Sequence, residues 1–84
     1  MAYKYVRFEN GRYQDGPEDF IIIFPGSINH KSFARTIRGK PVSAGKVDVD
    51  VEGKYYAYDE SESLNLKSNP EADSKLLNIQ NRIY

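Results

Sequence analysis

Cysteine and tryptophan are both absent from this 84-residue chain. Without thiols, neither a disulfide framework nor a thiolate metal site can compensate for a small core, and the chain fits a reducing compartment. Long apolar runs are missing as well. The longest, Phe20 to Phe24, falls far short of the roughly 20 residues that cross a bilayer, and the N-terminus carries no apolar signal region. The expectation is a cytoplasmic protein with no membrane partner. Net charge is also lacking, with 12 basic residues against 12 acidic ones, which argues against a broad nucleic-acid footprint. The chain has no serine-hydrolase elbow, no lysine-serine or lysine-threonine phosphate-loop ending, and a single histidine. Nucleophilic catalysis therefore has no recognisable constellation, and no cofactor or metal is expected.

What the chain does have is aromatic and strand-forming sequence, with seven tyrosines and four phenylalanines. Its length makes one domain, 1–84, and at roughly 60–65% of the unfolded surface buried the core is thin, so self-association is expected to help it. Tyr3 to Phe8 alternates as a strand does, and Asn10-Gly11 is a tight-turn signal leading back through Tyr13. Phe20 to Phe24 reads as a strand buried on both faces, placed at the centre of the sheet. After Pro25-Gly26, Ser27 or Asn29 can cap a helix from about His30 to Arg38, with Gly39 as its terminator. Val42 to Val51 reads as a long strand. A two-residue turn at Glu52-Gly53 would set Tyr56 against Val49, Tyr58 against Val47 and Asp59 against Lys46. A short strand over Ser63 to Leu66 follows. Asn69-Pro70 then opens a helix to about Ile83. The expected fold is α+β, an antiparallel sheet with two helices in the order β-β-α-β-β-β-α.

Charge is unevenly placed within this neutral chain. From Phe20 to Val47 there are Lys31, Arg35, Arg38, Lys40, Lys46 and His30, and no acid. Lys31, Arg35 and Arg38, at i, i+4 and i+7, share one helical stripe opposite Phe33, Ala34 and Ile37. This is either a solvated back or an anion site. In the second reading, Ser27, the helix-start amides, His30, Lys31 and Arg35 gather around a phosphate-sized ligand. Ser43 and Gly45, set near Ser61 and Ser63 by the hairpin, leave room for that ligand to approach the backbone. Equally, His30 can be a satisfied core histidine and the serines irregular strand ends. Asp48, Asp50 and Glu52 alternate on one strand face about 6.6 Å apart, too far for their carboxylates to converge on a metal. On the last helix, Ala72, Leu76, Ile79 and Ile83 form a core stripe, which leaves Leu77 and Tyr84 for a subunit or partner contact.

The motif residues Phe24-Pro25, Ile28, His30, Phe33-Ala34, Pro41 to Gly45, Ser61, Ser63-Leu64, Leu66, Ser68, Pro70, Asp73 and Leu76-Leu77 together resemble small accessory proteins of bacteriophages. The resemblance covers residues 20–77 and leaves the N-terminal strand and turn outside it. It implies a phage origin, a host-cell cytoplasmic setting and a non-enzymatic role against a bacterial defence system. In that setting the basic helix start fits a sponge that sequesters a nucleotide. A protein inhibitor docking on a host defence protein is the alternative, and a nucleic-acid binder the third reading.

Overall fold

Alternating polarity builds the first strand, β1 (Tyr3–Glu9), which turns Tyr5 to one side and Val6 and Phe8 to the other. The apolar run Phe20 to Phe24 forms β2 (Asp19–Pro25), antiparallel to β1 from Tyr3↔Pro25 to Glu9↔Asp19. The computed structural model describes residues 3–9, 19–79 and 82–83, so the expected Asn10-Gly11 turn, Tyr13 and Tyr84 lie outside the described residues. Next come α1 (His30–Ala34), β3 (Lys40–Val49), β4 (Tyr55–Tyr58), β5 (Glu60–Ser61), β6 (Leu66–Lys67), α2 (Pro70–Ile79) and β7 (Arg82–Ile83). The main sheet has the order β4-β3-β1-β2-β7, antiparallel except that β7 runs parallel to β2, while β5 and β6 pair apart from it. The fold is α+β with the expected element order, to which β6 and β7 are short additions.

Side-chain alternation gives the sheet two buried faces. One carries Tyr5, Ile21, Ile23, Val47 and Ala57 under Leu77 of α2. The other carries Val6, Phe8, Ile22, Phe24 and Ala44 under Phe33 of α1, with Leu64 and Leu66 partly buried beside them. Coverage on both faces explains why Phe20 to Phe24 of β2 are all apolar, yet the central strand is β1. Its polar residues are tolerated there because they find partners: the Lys4 ammonium donates to the Ile28 carbonyl at 2.9 Å, and Arg7 meets two carboxylates.

Four local expectations are corrected. The β3–β4 register is Val47↔Ala57 and Val49↔Tyr55, one residue from the two-residue hairpin. The loop holds three residues, Val51 to Gly53, with Gly53 at φ +83 in the left-handed region that completes such turns. Asp59 still reaches Lys46, at 3.1 Å. Helix α1 ends at Ala34, not Arg38, and passes into tighter turns in which Thr36 and Ile37 donate to Phe33 and Ala34. Residues 62–65 turn between β5 and β6, with Asn65 at φ +55, where a strand over Ser63 to Leu66 was expected. Helix α2 stops at Ile79, and Ile83 belongs to β7.

Candidate functional site

The residues assigned to an anion site do not converge. Asn29 is the N-cap of α1, its side-chain oxygen accepting from the amides of Lys31 at 2.9 Å and Ser32 at 3.3 Å. The Ser63 hydroxyl also accepts from Lys31 N at 3.2 Å, and Phe33 N donates to Asn29 O. These protein groups already satisfy the amides that were to hold a phosphate, on a helix of only five residues. Ser27, Lys31 and Arg35 are exposed around it. His30 points the other way. It is buried, its Nε2 lies 2.9 Å from the Gly45 carbonyl, and its ring meets Phe24 edge-on at 5.5 Å. A carbonyl can only accept, so Nε2 carries the proton. Burial pushes the pKa of His30 below the ordinary histidine value, against the opposing pull of the Gly45 hydrogen bond. His30 is thus a neutral core residue that fastens α1 to β3.

The serines divide between the two faces. Ser43 is the register partner of Arg7 and lies on the α2 face. Gly45, paired with Tyr5 on that face, sits where a Cβ would run into the Tyr58 carbonyl and, at 3.2 Å, the Ser68 side chain. Its missing side chain therefore admits the protein's own backbone, not a ligand. Ser61 is buried, its hydroxyl accepting from Leu64 N at 3.2 Å and lying 3.4 Å from that of Ser63. The structure brings together His30 with Gly45, and Ser61 and Ser63 with the start of α1, in structural contacts. The other correction concerns Leu77. It is completely buried in the α2 core and cannot form a subunit contact.

A polar cluster that the sequence reading did not assemble lies under the start of α2. The Asp73 side chain is 0% exposed. It accepts from the Tyr5 hydroxyl at 2.5 Å, Arg7 Nη1 at 3.0 Å and the Asn69 amide at 2.9 Å, while Arg7 Nε donates to Asp19 at 2.8 Å. Burial, then the neighbouring Asp73 carboxylate, pushes the Tyr5 hydroxyl well above the usual tyrosine range. For Arg7, burial opposes the charge, but the bonds to Asp73 and Asp19 outweigh it and hold the guanidinium above its ordinary pKa. These three donors hold Asp73 as an anchor between α2 and β1. Beside it, the buried Ser43 hydroxyl has no hydrogen-bond partner among the described residues.

An exposed feature with well-defined geometry is the tip between β3 and β4. Asp50 Oδ1 accepts from the amides of Glu52 and Lys54, both at 2.9 Å; Asp50 N donates to Lys54 O, and Gly53 N to Asp50 O. This rigid turn holds Val51 fully out in solvent, with Val49 at 49% and Tyr56 at 42% exposure behind it. Val49 and Tyr56 stand on opposite faces of the hairpin, Tyr56 beside its register partner Asp48, and among the described residues Lys54, 3.9 Å from Glu52, supplies the positive charge of the turn.

Among the described residues no group of three or more histidines and acids is placed to hold a metal ion, and no helix is long and apolar enough to cross a membrane. No family model, curated protein or solved structure matches the chain.

Proposed function

We propose that this chain is a non-enzymatic binding protein that docks on a basic protein surface through the tip of the β3–β4 hairpin. The observation that carries this reading is Val51, wholly exposed on a turn that four hydrogen bonds hold in shape. A rigid loop loses little conformational freedom on binding. Apolar anchors ringed by polar groups are the usual anatomy of an interface centre, and the three acids Asp48, Asp50 and Glu52 would steer the encounter with a basic partner. In the phage setting that the resemblance implies, such a protein would be an inhibitor acting directly on a host defence protein. Sequestration of a nucleotide would have to rely on the exposed Lys31 and Arg35, because His30 and the start of α1 are committed within the fold.

The test places a photo-reactive phenylalanine analogue at Val51 in one variant and at Ser32, on the exposed side of α1, in another. The expected result is a discrete protein adduct from position 51 in host cells, lost when Asp48 and Glu52 are both changed to lysine. An adduct from position 32 alone would move the docking surface to the basic turn. A nucleotide mass carried by the purified protein in native mass spectrometry, with no adduct from either position, would return the function to sequestration.

A further inference from the structure

Strand β4 lies at one edge of the main sheet, where unpaired backbone groups invite another strand. On β4, Tyr56 and Tyr58 pair with Asp48 and Lys46 of β3, and the backbone groups of Tyr55 and Ala57 point outward to side chains of α2. Asn78 bonds Tyr55 at two points: its Oδ1 accepts from the Tyr55 amide at 2.9 Å and its Nδ2 donates to the Tyr55 carbonyl at 2.8 Å. The remaining Nδ2 hydrogen goes to the Ser74 carbonyl one turn back, at 2.8 Å. These three bonds fix which side-chain atom is oxygen, since the flipped amide would face a donor with a donor and two acceptors with an acceptor. One turn earlier on the helix, the Ser74 hydroxyl accepts from the Ala57 amide at 2.8 Å. Positions 74 and 78, four apart, thus meet positions 55 and 57, two apart, as the helical and strand repeats require for alignment side by side.

We propose that α2 is a strap across a strand-adding edge, in which Asn78 and Ser74 occupy the backbone groups that a neighbouring strand would otherwise use. The strand this edge fits is β4 of a second copy in antiparallel register, because an antiparallel pairing of identical edges is self-complementary. Leu77, between the two guarding residues and fully buried, holds the strap down. The hairpin tip stays free while the edge behind it is closed, so association through the tip does not run on into edge-to-edge assembly.

The test compares wild type, Asn78→Ala and Ser74→Ala/Asn78→Ala by amide hydrogen exchange over a range of protein concentrations, with sedimentation for mass. Alanine favours the helix more than asparagine or serine does, Asn78 is exposed and Ser74 half-buried, and far-ultraviolet circular dichroism verifies that both variants are folded before exchange is read. In dilute solution the double variant is expected to exchange the Tyr55 and Ala57 amides roughly tenfold faster than wild type, and the single variant only that of Tyr55. As concentration rises, protection of these amides should return in the double variant together with a dimer mass that wild type does not gain. Unchanged exchange in dilute solution would show that the side chains do not guard the edge. Faster exchange with no return of protection at high concentration would show that the edge does not accept a strand, and either result overturns the proposal.

Discussion

Asp73 fixes where the last helix sits, through bonds to residues 66 and 68 positions away in sequence. Breaking a buried ion pair from one side strands the other charge, so Asp73→Asn is expected to lower unfolding free energy by about 3 kcal/mol. Urea denaturation measures it; a loss near zero would mean that Asp19 alone satisfies Arg7. His30 gives a second expectation, with a pH window set by the direction of its shift. Its pKa is depressed in the folded state, first by burial and further by Lys4 and Lys46, with the Gly45 bond and Asp59 pulling the other way. The unfolded ring therefore binds a proton first. The stability it contributes is present above the unfolded value of about 6.5 and is lost as pH falls through the folded value. With one histidine and no cysteine in the chain, it is the side chain expected to titrate between pH 7.5 and 5.5. His30→Gln keeps a donor for Gly45 and should remove the fall in stability across that range; an unchanged fall would place its origin elsewhere. Both readings of His30 were open in the sequence. Its burial was decided by the Gly45 carbonyl, which a pattern of residue types cannot point at a ring. Asp73 was hidden for a related reason: apolar periodicity counts every acid as outward, and this one is inward because Tyr5 and Arg7 come to meet it.

The elements were legible where local chemistry dictates them and misread where phase depends on distant partners. Asn69-Pro70 opens α2 as its residues suggest: Asn69 accepts from Ala72 N at 3.4 Å through its side chain and from Asp73 N at 2.8 Å through its carbonyl. The buried stripe of that helix, however, runs through Asp73 and Leu77, while Ile79 is 69% exposed and Ile83, on β7, 66%. A stripe chosen by hydrophobicity alone took Ala72, Leu76, Ile79 and Ile83 together; Leu76 does pack against the core, partly buried, but the fully buried line begins on a carboxylate and leaves Ile79 and Ile83 outside. The β3–β4 register slipped for want of one residue in the turn, where Asp50 closes three residues instead of two. The candidate site was less legible than the fold, because amides capped by Asn29 and Ser63 look free in sequence. Leu77→Asp tests the corrected stripe. An unpaired carboxylate in the α2 core should cost more than about 4 kcal/mol, unfolding the protein instead of dissociating an assembly. Circular dichroism with light scattering distinguishes the two, and a folded, smaller species would restore Leu77 to an interface.

The whole molecule is two apolar cores divided by one sheet, and β2 contributes to both through neighbouring residues. Ile21 and Ile23 pack toward Leu77, while Ile22 packs toward Phe33 and is, like them, buried. A chain of this size has roughly 4–13 kcal/mol of stability to distribute. Neither core can be spared, and the strands that line them are shared, so unfolding should be one cooperative event. Ile21→Val and Ile22→Val probe this from the two sides of one strand. Each deletes a single buried methylene and is expected to cost about 0.5–1.5 kcal/mol. Their side chains touch different neighbours on opposite faces, so the double variant should lose the sum of the two within about 0.5 kcal/mol even though the residues are adjacent in sequence. Urea unfolding followed by far-ultraviolet circular dichroism and by tyrosine fluorescence should give coincident transitions in all three variants. Separate transitions for the two probes in Ile22→Val would mean that the α1 side opens alone, and the sheet would then join two units of unequal stability.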